Sequence, residues 1–439
     1  MNSMKHVVLV FMTWIGAVLP GFGQGILTIQ EAVEIALSNN YDIKLSRNEL
    51  EVAAENVTYG NAGMLPNVTG NFSQNNSIQN SKQTQNDGSV RALDNAKNNS
   101  MTYGVSLGWT IFDGLGMFSR YESLKELEKL GEIQVKRTVV SMVSDVIRTY
   151  YSIVEQQNLL IAIDSSILIS KERLRTAENR FSIGKGSRLE VLNVQVNLNE
   201  DESTRLRQMD VVKNLKVAFN GLLARSLSID FAVVRELKID RSMVLENLLE
   251  QAKLHNPDLI GVSINKRLAE LEVKNVKALR YPTVRLNGGY NFSESESSLG
   301  FVAQSNSRGL NYGVTASLNI FDGFNQRRNE RVAKLRVDNA ELAIGRQRIV
   351  VETAITQAFH SYQTNLALVN IEEGNERIAK QNLSITLDKF RIGSISAVEF
   401  RDAQQNYIDA VTRFNIASTQ AKLSEVMLKE LVGAIDFVR

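Results

Sequence analysis

Ile111-Phe112-Asp113-Gly114 returns as Ile320-Phe321-Asp322-Gly323, and Phe181-Ser182-Ile183-Gly184 returns as Phe390-Arg391-Ile392-Gly393. Both pairs are offset by 209 residues, so each copy holds an equal run between its two motifs. Upstream, Asn40-Tyr41-Asp42-Ile43 matches Asn256-Pro257-Asp258-Leu259 and Leu65-Pro66 matches Tyr281-Pro282, both offset by 216. One seven-residue length difference therefore falls between Pro66 and Trp109. A duplication this regular means two equivalent structural units.

Each unit opens with a helical pair. Thr28-Ile29-Gln30-Glu31 has capping-box form, and Ala32, Ile35 and Ala36 share one helical face. Helix is expected through 41–62 up to Leu65-Pro66, and again through 243–279 up to Tyr281-Pro282, where proline stops it. The period then changes to two. Tyr103, Val105, Leu107, Trp109 and Ile111 alternate with Gly104, Ser106, Gly108 and Thr110. Tyr312, Val314, Ala316, Leu318 and Ile320 do the same in the second copy, as do the strands preceding each. Strands of about nine to eleven residues, apolar on one face and small and polar on the other, fit a tilted membrane barrel with a wet lumen. Aromatic residues near the strand ends (Tyr103, Trp109, Phe112, Tyr312, Phe321) fit an interfacial girdle. The amide- and serine-rich stretches 74–101 and 293–310 read as exposed loops.

After each Phe-Asp-Gly a helix of about 65 residues is expected, on the order of 100 Å long. Ile133, Val140, Ile147, Val154, Ile161 and Leu168 recur at heptad spacing, a coiled-coil seam. The second copy runs Leu335, Leu342, Ile349 and then shifts register through Ile355, Tyr362 and Val369. Glycine stops each long helix, and Ser187–Glu190 and Ser396–Glu399 have capping-box form at the start of the returning helices. A linker, Ser226–Lys238, joins the copies, with Ile229, Phe231 and Val233 as a candidate short strand. The expected organisation is a signal peptide over 1–23, a first repeat over 24–225, a linking segment over 226–242 and a second repeat over 243–439.

The signal is read from Lys5, the short apolar run Val7 to Leu19, and small residues at Gly21 and Gly23, which place the mature start near Gln24. The chain has no cysteine, hence no lipid-attachment site, disulfide or thiolate chemistry. A formal net charge of +2 gives no reason to expect nucleic acid. Enzyme readings fare poorly. His255 and His360 form no metal spacing, Gly184-Lys185-Gly186-Ser187 lacks the strand and upstream glycine of a phosphate loop, and no cofactor is expected.

Four strands cannot close a barrel, and open edges are not tolerated in hydrocarbon, so several protomers are required; eight, twelve and sixteen strands all fit. Here resemblance adds to the reading. The run Leu27–Leu37 through Asn40, Leu65-Pro66, Phe112-Asp113-Gly114 and Phe181-x-x-Gly184, each with its second-copy equivalent, resembles the TolC-type outer-membrane efflux family. That resemblance implies an α+β membrane protein: a homotrimer with a 12-stranded β-barrel in the outer membrane of a Gram-negative bacterium. A long periplasmic α-helical barrel would continue it. It also implies a periplasmic adaptor, an inner-membrane RND (proton-driven) or ABC transporter, and export of drugs, metals or proteins.

By resemblance, Glu399 and Asp402 fall on the positions of an acidic pore constriction. Glu399 is also the third residue of a capping box, whereas Asp402 faces a neutral counterpart, Asn193, in the first copy. The family's locking tyrosine and arginine are replaced by Phe390 and Ile395, so any latch differs, and Lys185 and Arg188 are candidate donors. Gly184 and Gly393 are the turns expected to dock an adaptor. The rival reading is a periplasmic coiled-coil scaffold without a pore, for which the helices alone would suffice.

Overall fold

The computed structural model describes residues 25–298 and 302–433. The expected signal peptide, 1–23, and the last six residues of the second repeat lie outside them. The architecture is α+β and internally duplicated. In chain order it comprises β1 (Ile26–Leu27), α1 (Ile29–Asn39), α2 (Tyr41–Glu55), β2 (Asn67–Thr84), β3 (Val90–Asp113), α3 (Gly116–Ser182) and α4 (Arg188–Leu222). The second half follows with β4 (Ala232–Val233), α5 (Leu245–His255), α6 (Pro257–Ala278), β5 (Thr283–Ser297), β6 (Gln304–Ser317), α7 (Asn325–Ile392) and α8 (Ala397–Val432). α2 ends at Glu55, earlier than the 62 expected, and turns fill the stretch to Pro66.

The motif Asn40/Asn256 is explained by geometry. Asn40 Oδ1 accepts from Asp42 N (2.8 Å) and Ile43 N (3.2 Å), capping α2, while its Nδ2 donates to Leu222 O at the end of α4 (3.1 Å). Asn256 repeats this with Asp258 N, Leu259 N and Leu431 O (2.9, 3.0 and 2.7 Å). One buried amide thus caps a helix and fastens it to the returning helix of its own copy.

Phe-Asp-Gly is the strand-to-helix joint. Gly114 and Leu115 both take left-handed backbone, as do Gly323 and Phe324, which swings the chain from strand into helix. The aspartate then serves the new helix: Asp113 Oδ1 accepts from Met117 N (3.0 Å), and Asp322 Oδ2 from Gln326 N (2.6 Å). Leu115 (φ +69°) and Phe324 (φ +63°) carry a Cβ and so bear the left-handed strain, about 1–2 kcal/mol each.

β2, β3, β5 and β6 form one antiparallel sheet in that order. Register sorts its residues into two faces. The apolar face stacks Phe72–Tyr103–Phe292–Arg308, Gly70–Val105–Tyr290–Leu310, Val68–Leu107–Gly288–Tyr312, Trp109–Leu286–Val314 and Phe112–Val284–Ala316. Five rungs span about 27 Å along the strands, or about 21 Å along the normal at a ~40° tilt, close to the apolar band of an outer-membrane barrel. The belt stops at the next rung, Gln74–Met101–Glu294–Asn306. The other face is laced by Asn71 and Thr69 to Ser106 (2.8 and 2.9 Å), Asn287 to Thr315 (3.0 Å) and Asn291 to Asn311 (3.2 Å).

The strands are 14 to 24 residues long rather than nine to eleven, because pairing continues well beyond the belt. The stretch 74–101 is not a loop: β2 and β3 pair through it to a tight turn at Gln85–Ser89, past a bulge between Gln79 and Ser81. Likewise β5 and β6 consume most of 293–310. β6 stops at Ser317, so Leu318 and Ile320 lie past the sheet.

The main core sits where the helical pairs meet the long helices. Val140, Val143, Ile147, Tyr150 and Val154 of α3 pack with Ala32 and Ala36 of α1, Ile43 of α2, Phe219 of α4 and Val233 of β4. Tyr150 OH donates to Leu27 O and accepts from Val234 N, both 2.9 Å, stitching the short parallel pair β1–β4 to α3. The second copy has its own cluster around Ile355, Phe359, Tyr362, Leu248 and Leu428. The α3 heptad holds through Val154 and then fails. Ile161 and Leu168 are exposed, and burial passes to Ile163 and Ile167, facing Leu198 of α4. A near-straight helix at 3.6 residues per turn drifts out of a strict seven-residue seam.

Candidate functional site

The far end of the two long hairpins is where every candidate site residue lies. Gly184 (φ +75°) and Gly393 (φ +83°) adopt the left-handed turn that stops α3 and α7. In both copies the stop closes through the same pair of bonds: Lys185 N to Arg180 O and Gly184 N to Phe181 O in one, Ser394 N to Lys389 O and Gly393 N to Phe390 O in the other. Ser187 and Ser396 then cap the returning helices, accepting from Glu190 N (3.1 Å) and Glu399 N (3.2 Å).

Glu399 completes its capping box, its carboxylate accepting from Ser396 N at 2.8 Å. Glu190 does not, and turns toward Arg180 (3.9 Å). Asp402, one turn into α8, is exposed and makes no hydrogen bond or ion pair among the described residues. Asp409 follows on the same face and accepts from Gln405 (2.9 Å). Lys185 and Arg188 are exposed. Arg188 lies over the Phe181 ring of its own hairpin (5.9 Å), and neither residue reaches the second copy.

Other arginines do. Arg180 donates to Phe390 O at the end of α7 and sits 5.0 Å from the Phe390 ring. Arg173, 1% exposed, donates to Ala397 O (3.1 Å) and lies 5.5 Å from the Phe400 ring. Its Nε and Nη1 find no protein partner. Burial, with Arg401 nearby, pulls this guanidinium down to about 10, which leaves it charged at neutral pH. Arg401 of α8 crosses in the opposite direction, to Asp201 (2.7 Å) and Glu200 (3.5 Å) of α4. Gln404 donates to Ser166 and Ser170 on α3 (2.6 and 2.7 Å), and Ser170 in turn donates to Asp201 (2.7 Å). A polar, partly buried layer therefore joins the first hairpin to the helix that carries Asp402. The duplication offers a signal for it. At offset 209, Arg173 stands against Asn382, Arg401 against Leu192 and Asp201 against Ala410, so the charges are specific to one interface.

A two-faced sheet with open edges, set on helices of 67 and 68 residues, defines a membrane-embedded export channel subunit. The chain belongs to the outer membrane efflux protein family, whose model matches residues 32–224 and 248–434. It is similar to outer membrane protein OprJ of Pseudomonas aeruginosa, with 22% identity over 418 residues covering 92% of this chain and 84% of that one. Outer membrane protein TolC of Vibrio cholerae is 20% identical, over 88% of this chain and 86% of its own. The fold matches the crystal structure of the Campylobacter jejuni CmeC outer membrane channel with a TM-score of 0.73, at 21% identity, covering 92% and 85% of the two chains. The protein is an outer-membrane channel of the efflux class, and its family consists of channel proteins rather than enzymes.

Proposed function

We propose that the protein is a passive homotrimeric conduit that joins a periplasmic adaptor and an inner-membrane RND or ABC pump, and carries small molecules or proteins out of the cell. The observation that carries this reading is the unfinished sheet: its apolar belt demands lipid, while β2 and β6 leave both edges open. Three copies close twelve strands. The helical layer is unfinished in the same way. Leu342, Ile349, Ile371, Ile378, Ile385 and Ile392 line one side of α7, all exposed, and Leu189, Leu192 and Val196 line α4 on the other. A lone coiled-coil tether has no use for the belt.

In this reading Asp402 and Glu399 form stacked carboxylate rings at the periplasmic tip, drawing cations to the constriction. Asp402 is the stronger contributor because, among the described residues, no cation pairs with it. Gly184 and Gly393 present the adaptor-docking turns. Arg173, Arg180 and Arg401 hold the two hairpins of one protomer together, and a latch by Lys185 or Arg188 would have to engage another chain. The conduit reading is tested by purification from outer membranes, heat-modifiable gel migration and planar-bilayer recording. A trimer with ohmic or gated conductance is expected; a non-conducting species confined to the soluble periplasmic fraction would sink it.

A further inference from the structure

The polar face of the sheet is uncharged within the belt except at one residue. Arg285 of β5 shares that face with Asn287, Gly289 and Asn291, and its register partners there are Thr110 and Thr315. Its Nε donates to Thr110 Oγ1 at 3.3 Å, so the guanidinium lies along the wall instead of across it. Among the described residues it makes no ion pair. Asp113, on the same face at the periplasmic rim, is held by Arg120 at 2.7 Å. The first-copy counterpart of Arg285, at offset 216, is Thr69, which bonds Ser106. Each protomer thus adds one uncompensated positive charge to the pore wall, and the duplication does not double it.

We propose that Arg285 forms a ring of three guanidinium groups near the periplasmic end of the barrel, and that this ring draws anions into the barrel segment. The inference rests on the trimeric conduit reading. Twelve strands spaced about 4.8 Å apart and tilted by about 40° give a wall radius of roughly 12 Å. A Debye length of about 8–10 Å at ordinary ionic strength lets three wall charges influence most of that cross-section. The surrounding Asn, Ser, Thr and Gly side chains carry nothing to cancel them, and the lipid-backed wall focuses the field. Arginine stays protonated throughout the working pH range. The Asp402 ring lies at the opposite end of helices about 100 Å long, many Debye lengths away, so the two rings act separately and in series.

The test is the reversal potential of reconstituted trimers under a KCl gradient, in a Glu399→Gln/Asp402→Asn background that removes the tip carboxylates. That background is expected to prefer chloride near 0.1 M and to lose the preference near 1 M salt, as screening requires. Arg285→Gln should abolish the preference, Arg285→Glu should turn it toward potassium, and Arg285→Lys should keep it. Heat-modifiable trimers on gels confirm assembly of each variant, and Arg285→Gln carries the test if the charge reversal does not insert. Reversal potentials that stay at the background value in Arg285→Gln trimers overturn the inference while leaving the conduit intact. Trimers that conduct nothing in any background overturn both.

Discussion

Asn40 Nδ2 donates to Leu222 O across 182 residues of chain, and Asn256 Nδ2 makes the same bond to Leu431 O. Both side chains are nearly fully buried and also cap a helix. Replacing either by alanine removes a cap and leaves a carbonyl without its donor, which costs about 1–3 kcal/mol per site. The sites belong to different copies and share no partner, so the double variant should lose the sum. Thermal unfolding of the trimer in detergent checks this; an unchanged midpoint in Asn40→Ala would show the bond to be dispensable.

The Arg401–Asp201 bridge is expected to set how tightly α8 lies against the first hairpin. Arg401→Ala should raise open-channel conductance and sensitise cells to a large antibiotic normally excluded by the outer membrane. The swap Arg401→Asp/Asp201→Arg should restore much of the wild-type behaviour, because the charge pair is re-formed in reverse. Equal sensitivity of wild type and Arg401→Ala would remove the bridge from the resting state.

That bridge marks the limit of what the residues disclosed beforehand. The duplication, the glycine turns and the two-faced strands were legible because each rests on a local rule: a fixed offset, a left-handed stop, a period of two. The reach of β2 and β3 beyond the belt was hidden, since a strand wet on both faces carries no alternation; Asn75 and Ser100 pair as strand yet look like loop. Arg173 and Arg401 were hidden for another reason. Their partners lie more than 190 residues away in sequence, on Ala397 and Asp201, and only the packing of α3 against α8 and α4 brings them together. The exposed isoleucines at 371, 378, 385 and 392 keep heptad spacing, but they are unsatisfied within one chain.

The two Phe-Asp-Gly joints should respond differently to the same change. Alanine at Gly114 places a Cβ 2.1 Å from Ala278 O and also meets the left-handed strain at φ +72°. At Gly323 (φ +69°) nothing lies closer than Asn325 Nδ2 at 3.8 Å, so only the backbone strain of about 1–2 kcal/mol remains. Gly114→Ala should therefore abolish or sharply reduce heat-modifiable trimer, and Gly323→Ala should assemble with a slightly lower midpoint. Similar yields of the two variants would contradict the close approach of α6 to the first joint.

Glu155 gives the pH dependence a definite sign. It lies on α3, half-buried against α8, with Gln156 Nε2 donating to it at 2.9 Å. Burial raises its pKa above the ordinary 4.5, with hydrogen bonds from Thr419 and Gln156 offsetting part of the effect. A carboxylate raised in the folded state binds more protons there than in the unfolded chain, so stability from this group falls as pH rises through the folded value. Its penalty is absent at pH values below the ordinary carboxylate range, where both states are protonated, and grows as the pH rises through the raised folded-state value. Glu155→Gln keeps the shape and deletes the charge. The variant should melt higher than wild type at pH 7 to 8, and the gain should shrink to nothing as the pH falls below the ordinary carboxylate range. A gain that stays constant across that range would mean packing, and not the ionised carboxylate, is what the substitution changes.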